Sequence, residues 1–252
     1  MFRIPFAVSA LGILLGAGLA FAASNRVDIS DRGDTRCLSS NGVPNHAIGS
    51  FPNSGNPHSF AQQDLQLCVP LSPAKGASPQ KVENVGMALN GILIRPGTAD
   101  WNDGSSRRGH SRNRSSGWNL DGMGPDNTLG LDANNAHVDK RGLYHYHGVP
   151  DAEPEISQGS LFGYAADGFE IHYIGDAAQP SYQLKSGTRP TAPFGAYDGT
   201  YNQDFEFIQG LGNLDECNGT TTSSGKYVYF ATDAYPFYPR CLWGTEIARL
   251  RG

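Results

Sequence analysis

The sequence predicts a mainly β fold, a single turn-rich antiparallel domain of sheet or sandwich type with few short helices. Glycine occurs 32 times and proline 16 times in 252 residues, which favours many turns over a helical bundle. Short segments of alternating aromatic and β-branched residues recur between Gly, Asp and Pro. After residue 22, no apolar stripe of helical period runs beyond two turns, so helices should be few.

The first 22 residues have the pattern of a secretory signal peptide. Arg3 precedes an apolar run, and Ala20 and Ala22 flank Phe21 in an A-x-A arrangement. We expect cleavage after Ala22 and a secreted or periplasmic protein with no later membrane segment. An uncleaved membrane anchor is the alternative, although Pro5 and several glycines interrupt the run.

Charge and length limit the partners that the sequence predicts. The formal net charge is −5, and a mildly acidic chain is a poor general binder of nucleic acid or anionic lipid. We therefore expect no nucleic-acid partner, and no membrane partner once the leader is removed. The remaining residues are enough for one sizeable core.

Residues 23–80 form a polar stretch with one good strand candidate. The segment LQLCVPL, from Leu65 to Leu71, alternates well enough to pair at a sheet edge, where Pro70 is tolerated.

The four cysteines predict disulfides, because the chain is exported and has no C-x-x-C pair. Of three possible connectivities, pairing near neighbours closes the shorter loops, which favours Cys37 with Cys68 and Cys217 with Cys241. By the chain-entropy argument, each bridge would stabilise the fold by roughly 3 to 4 kcal/mol.

From residue 81 onward the strand signals are stronger. Asn90-Gly91 lies between two short apolar segments and is the dipeptide favoured in type I′ hairpin turns. Asp167-Gly168 predicts a second hairpin, and Tyr227 to Ala231 a core strand. The Ser-Arg segment from Arg107 to Arg114 is typical of a solvated loop, with an anion or sulfated polysaccharide contact as the alternative.

The segment LYHYHGVP carries the clearest chemical signal. On a β-strand, His145 and His147 share one face while Tyr144 and Tyr146 share the other. The turn from residue 139 to 142 could bring a third histidine, His137, back beside this strand. Three imidazole nitrogens form the inner shell of many open zinc sites and also suit copper, so we predict a transition-metal site.

Carboxylates in turns are candidates for supporting such a site. Asp132, Asp215 and Glu216 could orient an imidazole or act as a general base on metal-bound water, although for any single one of them turn capping is the favoured explanation. Calcium ranks lower, because no EF-hand register fits the acidic segment. No nucleophile or phosphate-loop motif is present, so no catalytic residue is assigned.

Three kinds of function stay open. The first is a metal-binding protein, either for metal handling or as a metal-dependent enzyme. The second is a non-catalytic surface or matrix module that binds glycan, a small molecule or protein through exposed aromatics such as Trp101 and Trp118. The third is a purely structural role for the histidines and tyrosines, hydrogen-bonded inside the sheet.

Several blocks resemble the YHYH domain of exported proteins, which is named for Tyr144-His145-Tyr146-His147. They occur in the family's order and lie at residues 40–58, 85–104, 129–150, 163–173 and 195–220. The resemblance implies a single exported domain, which we place at residues 81–252 after the polar segment. Because the family name describes a motif, it implies no reaction and no catalytic residue.

The leader gives a direct prediction. Protein recovered from the exported fraction should lack residues 1–22, because their pattern is that of a cleaved signal peptide. Intact-mass measurement checks this, and a mass that retains Met1 to Ala22 would show an anchored protein instead.

Overall fold

The computed structural model of the protein describes residues 24–125, 129–151 and 160–252. The predicted signal peptide lies outside these residues. No helix within them is long and apolar enough to cross a membrane. The described structure is mainly β, as predicted, and its helices are the three-residue 3-10 helices Arg114–Ser116, Gly175–Ala177 and Asn202–Asp204.

The described strands, numbered in chain order, are β1 (Val27–Arg32), β2 (Thr35–Ser40), β3 (Leu65–Pro70), β4 (Lys75–Lys81), β5 (Gly86–Ala88), β6 (Leu93–Ile94), β7 (Gly97–Asn102), β8 (His110–Ser111), β9 (Asn119–Asp121), β10 (Ala136–Val138), β11 (Tyr144–Tyr146), β12 (Ser160–Ala165), β13 (Glu170–Tyr173), β14 (Tyr182–Leu184), β15 (Phe205–Phe207), β16 (Gly219–Thr221), β17 (Tyr227–Ala231) and β18 (Cys241–Gly244).

A central eight-stranded sheet organises the domain, in the order β10-β11-β6-β5-β12-β13-β17-β16. Four smaller sheets surround it: β1-β2-β3, β8-β7-β9, β14-β15 and β18-β4. Most pairs are antiparallel, as predicted, but β11 pairs with β6 and β13 with β17 in parallel. Parallel neighbours need long connections, so the local turn signals in the sequence do not reveal them.

The amino-terminal segment contains more structure than predicted. We expected one edge strand in residues 23–80, and the structure has four strands there, β1 to β4. The predicted strand, β3, lies at the edge of its sheet and ends at Pro70. Strands β1 and β4 are largely exposed and polar, so they lack the apolar alternation by which a strand is recognised.

Both disulfides have the predicted pairing. Cys37 on β2 lies directly opposite Cys68 on β3 and is bonded to it. Cys217 is bonded to Cys241 and joins the turn before β16 to β18.

Both predicted hairpins are present, but the first has a different turn. A type I′ turn needs positive φ at both central residues, whereas here only Gly91 is positive (φ +81°) and Asn90 is not. The Ala88 carbonyl accepts from Gly91 N, and Ala88 N donates to the Ile92 carbonyl, the pattern of a three-residue loop with a glycine bulge. The Asp167-Gly168 turn has the same pattern.

The segment from Arg107 to Arg114 is more ordered than a solvated loop. Within it, β8 pairs with the end of β7, where Trp101 lies opposite Ser111 and Asn102 opposite His110. The segment is nevertheless exposed at its four arginines, which are Arg107, Arg108, Arg112 and Arg114.

The main apolar core covers the central strands, where β5 and β12 approach each other closely. Gly163 on β12 lies opposite Ala88 on β5. A Cβ atom built on Gly163 would lie 2.3 Å from the carbonyl oxygen of Met87 and 2.8 Å from the Cα atom of Ala88. Both atoms belong to backbone, so no side-chain rotation can make room.

We therefore expect Gly163→Ala to destabilise the fold by about 1 to 3 kcal/mol or more, the usual cost of overpacking a core. Urea unfolding measures the change. Gly97→Ala is the matched control, because a Cβ atom there meets nothing within 4 Å. Equal losses for the two variants would contradict the close approach.

Candidate metal centre

The register of two short strands brings the three histidines together. Strands β10 and β11 pair antiparallel, and His137 lies directly opposite His145. The turn between them closes with hydrogen bonds between Asp139 and Leu143 and from Gly142 N to the Asp139 carbonyl. His147 lies just past the end of β11, where its backbone N–H donates to the Asn135 carbonyl at 2.8 Å. Alternation along the strand places His145 and His147 on one side.

The three imidazoles converge through their Nε2 atoms. His147 Nε2 lies 3.2 Å from His137 Nε2 and 3.2 Å from His145 Nε2. All three candidate ligand atoms lie within 4.8 Å of one another. Two nitrogens bound tetrahedrally to one ion at about 2.0 to 2.1 Å would be about 3.3 Å apart, so the two distances to His147 Nε2 fit a shared ion.

Each imidazole is oriented by a backbone carbonyl behind it. His137 Nδ1 lies 2.8 Å from the carbonyl oxygen of Leu129, His145 Nδ1 lies 3.1 Å from that of Leu143, and His147 Nδ1 lies 3.2 Å from that of Pro96. A carbonyl only accepts, so these contacts favour the tautomer with the proton on Nδ1 in each ring. That tautomer leaves the lone pair on Nε2, as in a metal-ligating histidine whose other nitrogen donates to an outer acceptor.

Burial keeps the three rings neutral. His145 and His147 are each 1% exposed, and His137 is half-buried. Desolvation by burial lowers the pKa of His145 and His147 well below the ordinary value, and the neighbouring histidines and Arg95 lower it further. Burial also lowers the pKa of His137, against the hydrogen bond to Leu129. Neutral imidazole is the form that binds metal.

The backbone packs closely behind His147. A Cβ atom on Gly122 would lie 2.2 Å from His147 Nδ1, so only glycine allows the ring to occupy this position. The Pro96 carbonyl that holds this ring also accepts from Arg240, whose other nitrogen donates to Asp121 at 2.7 Å. Hydrogen-bonded polar groups therefore hold the His147 ring in place.

Among the described residues, Arg95 is the charged group that contacts the cluster. Its NH2 nitrogen lies 3.0 Å from His145 Nε2 and 3.2 Å from His145 Nδ1. An atom nearly equidistant from both ring nitrogens would collide with Cε1 if it lay in the ring plane, so the guanidinium lies over the ring face. Arg95 therefore leaves the in-plane side of Nε2 to His147, whose own Nε2 lies 3.2 Å away.

Asp139 neutralises Arg95. Its carboxylate lies 3.3 Å from Arg95 NH1, and the two side chains are only 18% and 14% exposed. Burial alone would raise the pKa of Asp139, but hydrogen bonds from the Arg141 and Leu143 N–H groups and the charge of Arg95 outweigh it, so the pKa is lowered. Burial lowers the pKa of Arg95, against the attraction of Asp139.

The tyrosines of the motif face the other way and hold the amino-terminal segment. Tyr144 OH donates to Asp132 at 2.7 Å, and the same carboxylate accepts from the backbone N–H of Gly49 at 2.9 Å. Tyr146 OH lies 2.6 Å from His46 Nε2. Asp132, predicted to support the histidines, thus lies on the tyrosine side of the strand.

The other two predicted carboxylates lie at the far end of the sheet. Asp215 accepts from Tyr227 OH at 2.8 Å and from two backbone N–H groups in its own turn. Glu216 is its neighbour, and both precede β16, the strand at the opposite edge from β10. Seven strand spacings separate these edges, roughly 30 Å. The structure therefore gives Asp215 the turn-capping role and brings neither residue to the histidines.

No pattern in the sequence identified Arg95 or Gly122 as part of the site. Arg95 directly follows β6, whose parallel pairing with β11 places Leu93 opposite His145. That pairing has no local signal in the sequence. Asp139 was recognised only as part of a turn, because its charge partner lies 44 positions away.

The aromatic residues suggested for glycan stacking are less available than expected. Trp118 is only 7% exposed, packs with Leu120 and Tyr201, and donates from Nε1 to Thr191 at 2.8 Å. Trp101 is half-buried, with the Arg114 guanidinium 5.7 Å from its ring centroid. The expectation of an exposed Trp118 is wrong, because its indole fills a small satellite core.

Comparison with known proteins gives one match. The family described as YHYH protein matches residues 66–244, well over half of the chain. No curated protein and no solved structure matches the chain. The matched range includes all three histidines, Arg95 and Asp139.

The Arg95–Asp139 pair gives a stability prediction. Asp139→Asn keeps the side-chain acceptor of the turn but leaves the half-buried Arg95 without its counter-charge, so we expect a loss of about 1 to 3 kcal/mol, below that for a fully buried pair. Thermal or urea unfolding measures it. Asp31→Asn is the control, since its pair with Arg36 is exposed and should matter much less. A loss for Asp139→Asn no larger than for this control would contradict the pairing.

Proposed function

The chain belongs to the YHYH family, and from that premise we propose that it is a metal-binding protein whose centre consists of His137, His145 and His147. One observation carries the proposal: the Nε2 atoms of His137 and His145 each lie 3.2 Å from that of His147, while every Nδ1 lies within hydrogen-bond distance of a backbone carbonyl. The same arrangement determines which metal ions the centre would suit and whether it leaves a position for an outside ligand.

A purely structural role explains this arrangement poorly. Two acceptors 3.2 Å apart with no donor between them repel, and here three acceptors share one buried spot. One added proton could link only two of the three nitrogens. A single cation among them satisfies all three at once, which favours a metal ion over packing alone.

The donor set favours zinc or copper. Three neutral imidazole nitrogens suit these ions, whereas calcium and magnesium take oxygen ligands. Within the described residues, the cluster contains three donor side chains and no carboxylate or thiol. A three-histidine shell of this kind leaves a coordination position for an outside ligand.

Between metal handling and metal-dependent catalysis, the surroundings favour ligand binding at the open position. None of the three carboxylates considered as a general base contacts the histidines. The polar group at hand is Arg95, a cation that binds and orients anions and does not accept a proton at neutral pH. We therefore propose a metal centre that binds a ligand and assign no general base.

Metal content tests the proposal. Purified protein should bind about one equivalent of Zn²⁺ or Cu²⁺, and His145→Ala or His147→Ala should lower the affinity at least about tenfold, because each removes one of three ligands. Elemental analysis after dialysis and calorimetric titration measure stoichiometry and affinity.

His172→Ala is the matched control. His172 also lies on a strand of the central sheet, but it pairs with Glu170 at 2.9 Å, away from the cluster. Circular dichroism checks that each variant is folded. Equal metal loss in all variants, or no metal in the parent protein, would overturn the proposal.

A further inference from the structure

We infer that the open side of this centre binds a planar oxyanion of the carboxylate class, oriented by Arg95. The inference rests on the proposed metal centre and adds the chemistry of its ligand. Its basis is the position of the guanidinium, the charge around the histidines and the shape of the donor group.

Arg95 is held beside the histidines with a free donor. Its NH1 is committed to Asp139, while its NH2 lies over the His145 ring. Among the described residues, no oxygen atom accepts a hydrogen bond from this NH2, although the side chain is only 14% exposed. Arg95 is half-buried, so this NH2 can donate to an oxygen that enters from outside, and such a charge-assisted hydrogen bond is strong.

The charge around the proposed centre favours the binding of an anion. Three neutral imidazoles leave the charge of a divalent ion uncompensated in a buried place. Within the described residues, the carboxylates nearby are already paired, Asp139 with Arg95 and Asp121 with Arg240. Buried charges need partners, and the ion's own charge dominates such a site, so an outside anion should occupy the open position.

The donor geometry favours a carboxylate over a monatomic anion. Because NH1 is committed to Asp139, Arg95 offers NH2 to one oxygen of an anion, in a direction that the guanidinium plane fixes. A carboxylate can direct one oxygen to the metal ion and the other to Arg95, whereas a halide can engage the two cations through only one atom. Asp139 holds the guanidinium in place, so little freedom is lost on binding.

The experiment uses the full-length protein loaded with Co²⁺, whose visible spectrum reports ligands at the open position. We expect acetate to change the spectrum saturably and chloride to bind much more weakly. Arg95→Gln should weaken acetate binding about tenfold to a hundredfold, since hydrogen bonds to charged groups are strong, while one Co²⁺ per chain is retained. Arg95→Lys, which keeps the charge but cannot donate to Asp139 and to the anion in the fixed directions of a guanidinium, should lose part of this affinity.

Arg141→Gln is the control. It removes a positive charge 3.9 Å from the same Asp139 carboxylate, on a side chain that is 52% exposed and outside the cluster. Absence of bound Co²⁺ in the parent protein would defeat the metal centre itself. Bound Co²⁺ with no acetate response, with chloride equal to acetate, or with equal effects of Arg95→Gln and Arg141→Gln would defeat the anion inference alone.

Discussion

The antiparallel pairing of β10 with β11 is the constraint on which the histidine cluster depends. It places His137 opposite His145, and the alternation of the strand then adds His147 on the same side. A shift of one residue in this register would turn every side chain of β11 to the other face. The short turn after β10 and the parallel neighbour β6 both hold the register in place.

The motif strand is buried on both faces, and each face has a different chemistry. The tyrosine face fixes the amino-terminal segment through Asp132 and His46. On the histidine face, the Nε2 atoms of His137 and His145 each lie 3.2 Å from that of His147. Tyr144 and Tyr146 are fully buried and hydrogen-bonded, so they support the strand from behind. Rigid support of this kind lets a site hold a geometry to a fraction of an ångström.

The charges of the donor side chains in this cluster differ from those of a closed structural metal site. A closed structural site contains thiolates or carboxylates that offset the charge of the ion. Here the described donors are neutral, and the nearest charged side chain is a cation, Arg95, whose own charge is balanced by Asp139. The metal centre proposed above would therefore suit a cation that arrives with an anionic ligand better than a bare cation.

Local patterns in the sequence determined the mainly β class, the edge strand ending at Pro70, both hairpins, the strand from Tyr227 to Ala231 and the shared face of His145 and His147. These features depend on alternation and turn chemistry over a few residues. The tertiary structure alone decided that Arg95 lies over His145, that Asp132 faces the tyrosines and that Asp215 lies at the far edge of the sheet. Such contacts join distant segments through parallel pairing and strand order, and no local pattern encodes those.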